Sequence, residues 1–430
     1  MSRPLSVALA GLGTVGGGVL QLLRDNAEVV AARAGRPIAV TAVSARDRSK
    51  DRGVSLAGLR WYEDPVALAA DPAVDVVVEL IGGSDGPARA LAEAALRANK
   101  PLVTANKALL AVHGASLAGM AEEHGVALGF EAAVAGGIPV IKALREGLAA
   151  NQITRVAGIL NGTCNYILTQ MRERGREFAE VLADAQKLGY AEADPSFDID
   201  GIDAAHKLAI LAALAFGRPV SFESVYVEGI RRVSSVDIAF ASELGYRIKL
   251  LGIARRTDGG IETRVHPCMV PQSAPIARVD GVFNAVVAEG DFVGRVMLEG
   301  RGAGAGPTAS AVVADLIDIA RNRHTPVWGA AAHALSNAPS LPMSAHVGPY
   351  YLRLMVVDRP GVIADVTAVL RDHRISLESM LQRGRSPGEA VPVVLVTHET
   401  EESAMRSALE RIGGLNTVME DPALIRIEAG

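Results

Sequence analysis

Residues 5–24 read LSVALAGLGTVGGGVLQLLR, and this stretch decides the fold. A short apolar run, Leu5 to Ala10, has the length and composition of a buried strand, and the residues after the glycines read as a helix. Between them stand Gly11, Gly13 and Gly16 in GxGxxG spacing, with Thr14 and Val15 inside the motif. Without Cβ atoms, such a loop lets backbone N–H groups and a helix N-terminus close on a pyrophosphate. The motif is weak alone and gains weight from the strand before it and the helix after it. The plain alternative is a tight glycine-rich turn.

Working outward, the pattern repeats. IAVTAVSA, VDVVVELIGG, PLVTAN and VALGFEA are apolar strand-like runs separated by Ala/Leu-rich helical stretches. Continuous apolar strands alternating with helices predict a parallel sheet covered on both faces, a Rossmann-type doubly wound α/β domain over residues 1–130. From 131 to 335 longer helices mix with strands such as ETRVHPCMV, which predicts an α+β domain. The segment 301–335, beginning GRGAGAGPTASAVVADL, is a candidate to fold back and complete the first domain. Residues 336–348 are rich in Pro, Ser and Gly and read as a linker. Residues 349–430 then run strand, helix, strand, strand, helix, strand, a ferredoxin-like βαββαβ unit.

Bulk properties narrow the function. The chain has 430 residues, with 43 Lys+Arg against 48 Asp+Glu and a net charge of -5. That balance speaks against nucleic acid or a membrane surface as partner and for a small soluble ligand. Two cysteines, Cys164 and Cys268, make no disulfide framework, and no secretory leader or membrane-length apolar run is read. A cytoplasmic location is expected.

The second strand ends in SARDRSK, residues 44–50. An NAD-preferring site would present Asp or Glu to the adenine ribose there; this one presents Arg46, Arg48 and Lys50, with Asp47 as the one carboxylate. The cations favour NADP, with NAD also accepted; the alternative is a solvated basic turn.

GYAEADPSFDIDGIDAAHKLAIL, residues 189–211, carries the chemistry. If a helix begins near Gly201, Asp203 and Lys207 stand at i and i+4 on a stripe continued by Ile210, Leu211 and Leu214. A buried ammonium beside a carboxylate has its proton affinity set by partner and burial, which suits a general acid/base acting on a carbonyl or hydroxyl during hydride transfer. Lys107, in VTANKALL, is a second ammonium at the carboxyl edge of the sheet, or else a surface lysine at a helix start. Asp200 is expected to cap the helix and Asp194, before Pro195, to serve a turn. His206 turns away from Lys207 and reads as a packed core histidine, Cys164 as an interior residue. No histidine spacing points to a transition metal.

GLGTVGGG, TANKALLA, FEAAVAGGIPVI, LNGTCNYIL, the 189–211 segment and GAGAGPTASAVVADL occur in the order and spacing of the homoserine dehydrogenases, which the chain resembles over nearly its whole length. The tail from about residue 349 resembles an ACT regulatory domain, and the absence of an aspartate-kinase segment marks the monofunctional form as the expectation. The resemblance implies reversible reduction of L-aspartate 4-semialdehyde to L-homoserine, on the route to threonine and methionine. It implies Lys207 as proton donor, Asp203 holding substrate and lysine, and Lys107 between nicotinamide and substrate. Glu192 would take the substrate ammonium. Asp198, Gly162 and Thr163 would line the same pocket, and Gly304 would join the cofactor site. It also implies a monovalent cation, Na+ or K+, at Glu131 with the carbonyls of Val134, Gly136 and Ile138. The ACT tail implies threonine feedback, with an amino acid at the helix start after Asp358, and a homodimer or homotetramer; the alternative is a domain that only dimerises. Rival readings are another NADP oxidoreductase sharing the nucleotide domain, and a non-catalytic amino-acid sensor.

Overall fold

The computed structural model describes residues 3–383 and 388–428. Six strands, β1 (Leu5–Ala10), β2 (Ile38–Ser44), β3 (Arg60–Tyr62), β4 (Val76–Glu79), β5 (Leu102–Thr104) and β6 (Leu128–Gly129), form one parallel sheet in the order β3-β2-β1-β4-β5-β6. The winding reverses between β1 and β4, which opens a crevice at their carboxyl ends. Every residue of β1 is buried, because its two faces meet two different layers. Leu5, Val7 and Leu9 pack with Val19, Leu23, Val312 and Leu316, whereas Ala8 and Ala10 pack toward Leu91 and Leu109. One of the covering layers is therefore the helix Ala305–Ala320, which lies almost three hundred residues from the strand it protects.

A second, mixed sheet begins with β7 (Ile153–Ile159) and the short β8 (Tyr226–Val227), and continues through β9 (Tyr246–Thr257), β10 (Gly260–Pro271), β11 (Phe283–Gly290) and β12 (Gly294–Arg301). Residues 336–348 are more structured than a linker. β13 (Ser340–Leu341) pairs with β10, and β14 (Val347–Gly348) precedes the C-terminal unit. Pro and Ser mark low helix and strand propensity there, and propensity does not report tertiary pairing.

The last unit comprises β15 (Tyr350–Val357), the helix Val362–Asp372, β16 (Leu377–Gln382), β17 (Ala390–Thr397), β18 (Thr400–Glu401), the helix Glu402–Gly413 and β19 (Ala423–Ile427). β18 pairs with β14, and the four longer strands run antiparallel in the order β19-β15-β17-β16. Tyr350, Leu352 and Leu354 point to its own helices, while Tyr351, Val394, Val396 and Ile425 join the core of the preceding domain. The two-residue period of a strand thus buries both faces. Parallel pairing of Cys268 with Arg426 and Met269 with Ile427 makes the two sheets continuous.

Charge pairs reinforce that junction. Buried Asp237 accepts the Tyr351 hydroxyl at 3.1 Å and the Arg353 guanidinium at 2.7 Å, and Arg264 meets Glu428 at 2.5 Å. Replacing Leu316, which is fully buried against β1, by Ala should cost about 2–5 kcal/mol of stability. Chemical denaturation checks this: a lowered midpoint with unchanged slope is expected, and no change in midpoint would show that this helix does not stabilise the nucleotide sheet.

Candidate active site

The helix Ile202–Phe216 is apolar on nearly every side, so both of its charged side chains are buried. Its cap corrects the sequence expectation. Gly201, at φ 87°, occupies the cap position, and no side chain caps the helix. Asp200 lies one residue outside and pairs instead with the Arg231 guanidinium. Asp194 does serve a turn, accepting the Ser196 N–H at 3.1 Å.

One turn apart, the Lys207 ammonium donates to Asp203 Oδ2 at 2.7 Å and to the Leu160 carbonyl at 2.7 Å. The other oxygen of Asp203 faces Lys107 Nζ at 2.7 Å. Lys107 reaches this point from the first turn of the helix after β5, whose cap Asn106 accepts the Leu109 N–H at 3.1 Å. One carboxylate thus sits between two ammonium groups supplied by two domains. Burial pushes the Asp203 carboxyl up, but Lys207 and Lys107 outweigh it and hold it well below the ordinary range. Burial lowers the Lys207 proton affinity and Asp203 opposes that, with a net downward shift.

Asn161, which caps the helix Gly162–Arg174, donates its amide to both Asp203 and Asp198, at 2.8 Å each. Thr163 donates to the Tyr190 carbonyl at 2.7 Å and to Asp198 at 3.3 Å. Burial and the Asp203 charge push Asp198 up. These groups line a cavity of about 420 Å³ together with Lys107, Gly162 and, on the facing wall, Asn284, Arg301 and Gly304. Glu192 is not brought to it: the residue is exposed, and among the described residues only its carbonyl is engaged, by Gln186 at 3.0 Å. Asn161, Asn284 and Arg301 were missed in the sequence. Only Asn161 carried a signal there, as an Asn directly before the helix at Gly162.

His206 packs edge-on against Phe222, with ring centroids 4.3 Å apart, and burial lowers its pKa. Cys164 is buried, and burial pushes its thiol well up. Neither side chain lines the cavity.

The glycine loop has the geometry of an anion cradle. Gly11 has φ 102°, and a Cβ there would lie 2.4 Å from the Leu80 carbonyl oxygen. A Cβ on Gly16 would lie 2.1 Å from the Gly11 carbonyl oxygen, so larger residues are excluded at both positions. Gly13, the cap of the helix Thr14–Asp25, makes no side-chain cap bond, and Thr14 is exposed while Val15 is half-buried. At the end of β2, Asp47 turns onto Ser49 at 2.7 Å. Arg48 lies over the Trp61 ring, 5.8 Å from its centre, and Arg46 is exposed. The loop fits the pyrophosphate of a nicotinamide dinucleotide.

The 131–138 loop is buried apart from Gly137. Both Glu131 carboxylate oxygens accept backbone N–H groups, from Ile141 and Lys142 at 2.9 Å each. Burial and the Asp315 charge push the Glu131 carboxyl up to about 7. The Ile138 carbonyl accepts the Val140 N–H at 2.7 Å, whereas no donor among the described residues meets the carbonyls of Val134 or Gly136. Two unmet buried carbonyls suit a hard monovalent cation; the Glu131 carboxylate, already committed, does not add to that set.

The chain matches the family models described as homoserine dehydrogenase over residues 139–317, homoserine dehydrogenase NAD binding domain over 11–131, and ACT domain over 350–414. It is 48% identical over 435 residues to a homoserine dehydrogenase of Pseudomonas aeruginosa, covering 99% of each chain. A crystal structure of a homoserine dehydrogenase from Thiobacillus denitrificans superposes with TM-score 0.94 at 50% identity, covering 99% of each chain. A hyperthermophilic archaeal homoserine dehydrogenase in complex with NADPH superposes with TM-score 0.65 at 26% identity, over 75% of this chain and 100% of the other. Two domain models and full-length likeness agree with a carboxylate shared by two lysines at a nucleotide-domain edge: the chain belongs to the homoserine dehydrogenase family of oxidoreductases.

Proposed function

We propose that the chain interconverts L-aspartate 4-semialdehyde and L-homoserine with NADP preferred over NAD, and that Lys207 is its proton donor. The observation that carries this reading is the sharing of Asp203 between Lys207 and Lys107 inside one cavity. The nicotinamide cofactor, when bound, supplies or takes the hydride. As the aldehyde oxygen gains charge, Lys207 Nζ gives it a proton, and the reverse reaction returns that proton from the homoserine hydroxyl. Asp203 keeps the ammonium aimed, and Lys107 balances the second carboxylate oxygen. Asp198, Gly162 and Thr163 hold the substrate end. Glu192 is assigned to the substrate ammonium by resemblance alone and would need its loop to swing inward.

The pyrophosphate falls to Gly11, Gly13, Thr14, Val15 and Gly16, with Gly304 on the cavity side, and the 2'-phosphate to Arg46 and its neighbours. A monovalent cation, Na+ or K+, would use Glu131 with the carbonyls of Val134, Gly136 and Ile138. Division into 1–130 completed by 301–335, 131–335 and 349–430 belongs to the same reading. So do threonine feedback through the ACT domain, assembly as a homodimer or homotetramer, and a cytoplasmic location. Among the described residues no helix is long and apolar enough to cross a membrane.

Lys207→Ala should lower kcat about 10²-fold or more with NADPH affinity little changed; an unchanged kcat would eliminate the role. The pH dependence has a definite sign. Lys207 must be charged to reduce the aldehyde and neutral to oxidise homoserine. Homoserine oxidation should therefore rise, and aldehyde reduction fall, as pH climbs through a Lys207 pKa set below the ordinary lysine value. Initial rates in both directions, beside the Ala variant in which both slopes flatten, check this. Arg46→Ala should raise KM for NADP+ about tenfold while leaving that for NAD+ nearly unchanged. Equal effects on both cofactors would remove Arg46 from the 2'-phosphate site.

A further inference from the structure

Asn284, the second residue of β11, lines the catalytic cavity and is 1% exposed, about as buried as Asp203 at 2%. Its amide oxygen is enclosed and has no hydrogen-bond partner, and no donor or acceptor among the described residues meets the amide nitrogen either. Leaving a buried amide unpaired is costly, and folded proteins almost always satisfy such groups. The neighbouring uncharged polar groups are satisfied. Asn161 gives its amide to Asp198 and Asp203, and Thr163 gives its hydroxyl to the Tyr190 carbonyl and to Asp198. Asn284 alone of these three side chains has its hydrogen-bonding capacity free.

The surrounding backbone leaves room for this amide. A Cβ on Gly302, just after β12, would lie 2.2 Å from Asn284 Nδ2 and 2.3 Å from its Cγ, so only glycine there lets the side chain stand as it does. A Cβ on Gly162 would lie 3.5 Å from Asn284 Oδ1, which places the amide beside the start of the helix Gly162–Arg174. The first N–H groups of a helix favour an anion. An enclosed, unpaired amide at such a helix start therefore belongs to a polar ligand with an anionic group.

The position in the cavity says which part of the ligand this is. Lys207 stands on the opposite wall and meets the reacting oxygen, so Asn284 meets the far end of the substrate. An amide presents an N–H donor and a carbonyl acceptor side by side, the pattern that a carboxylate and an ammonium on one carbon require. We infer that Asn284 is a specificity-determining binding residue, whose amide donates to the α-carboxylate and accepts from the α-ammonium of the amino-acid substrate. The inference rests on the cavity being the homoserine site, and it gives the substrate ammonium a partner inside the cavity while Glu192 lies outside. An analogue lacking either charge leaves a buried polar group unpaired and is rejected for that reason.

Calorimetric titration of L-homoserine into the NADPH-loaded full-length protein, run beside homoserine oxidation, tests it. Asn284→Ala should weaken homoserine binding and raise KM for homoserine about tenfold or more, with NADPH affinity little changed. Gly302→Ala keeps the amide but crowds it, and should weaken homoserine in the same way. Added to Asn284→Ala, it should have no further effect, because the group it displaces is gone. Homoserine binding at full strength in Asn284→Ala, or NADPH affinity lost in equal measure, would overturn the role and leave the homoserine reading standing if turnover persists. Homoserine binding that Asn284→Ala weakens, in a protein without turnover, would uphold the role and sink the catalytic reading.

Discussion

The carboxylate of Asp203, buried and shared by two ammonium groups, is the constraint around which the molecule is arranged. A lone charge at that depth would cost several kcal/mol, and removing Asp203 would leave the buried Lys207 ammonium without its carboxylate. Lys207 comes from the same helix and is guaranteed by spacing. Lys107 comes from the nucleotide domain, so the pair Lys107–Asp203 exists only if the two domains stand in this one relation. The electrostatics of the site and the closure of the crevice are the same interaction seen from two sides.

Asn161 extends that constraint. Its carbonyl caps a helix by accepting the Cys164 N–H at 2.8 Å, while its amide ties Asp198 to Asp203. The helix cap and the tie between the two acids are thus one side chain, and the lining helix cannot shift without disturbing them. The facing wall is set by the helix Ala305–Ala320, which is anchored by Val312 and Leu316 in the nucleotide core and opens at Gly304 onto the cavity.

The C-terminal unit is docked by comparable means. Asp237 completes the Ser234 capping box of its own helix and also accepts Arg353 and Tyr351 of β15, so one buried carboxylate ties the two units together. Arg426 is committed to Glu402 and Glu228 together. This unit is a structural extension of the preceding sheet, joined to it by the parallel pairing of β10 with β19.

Local chemistry made much of this legible in one dimension. The strand, glycine loop and helix of residues 5–24, the alternation that follows, and the i,i+4 placement of Asp203 and Lys207 depend on neighbours a few residues apart, and short-range sterics and periodicity determine such features. The sequence also carried the βαββαβ order of the tail. It misjudged the cap, because Asp and Gly adjoin at 200 and 201 and only the backbone angle of Gly201 decides between them. It read residues 336–348 as a linker because β13 and β14 draw their order from distant strands. Asn284 and Arg301 reach the site through packing with segments distant in sequence, and Glu192, eleven residues before Asp203, stays exposed outside it. Sequence by itself determined which elements form and which charges one helix buries. Only tertiary structure decided which distant charges meet, because a buried carboxylate is satisfied by whatever cation the folded chain brings within hydrogen-bond range, and no local pattern encodes that partner.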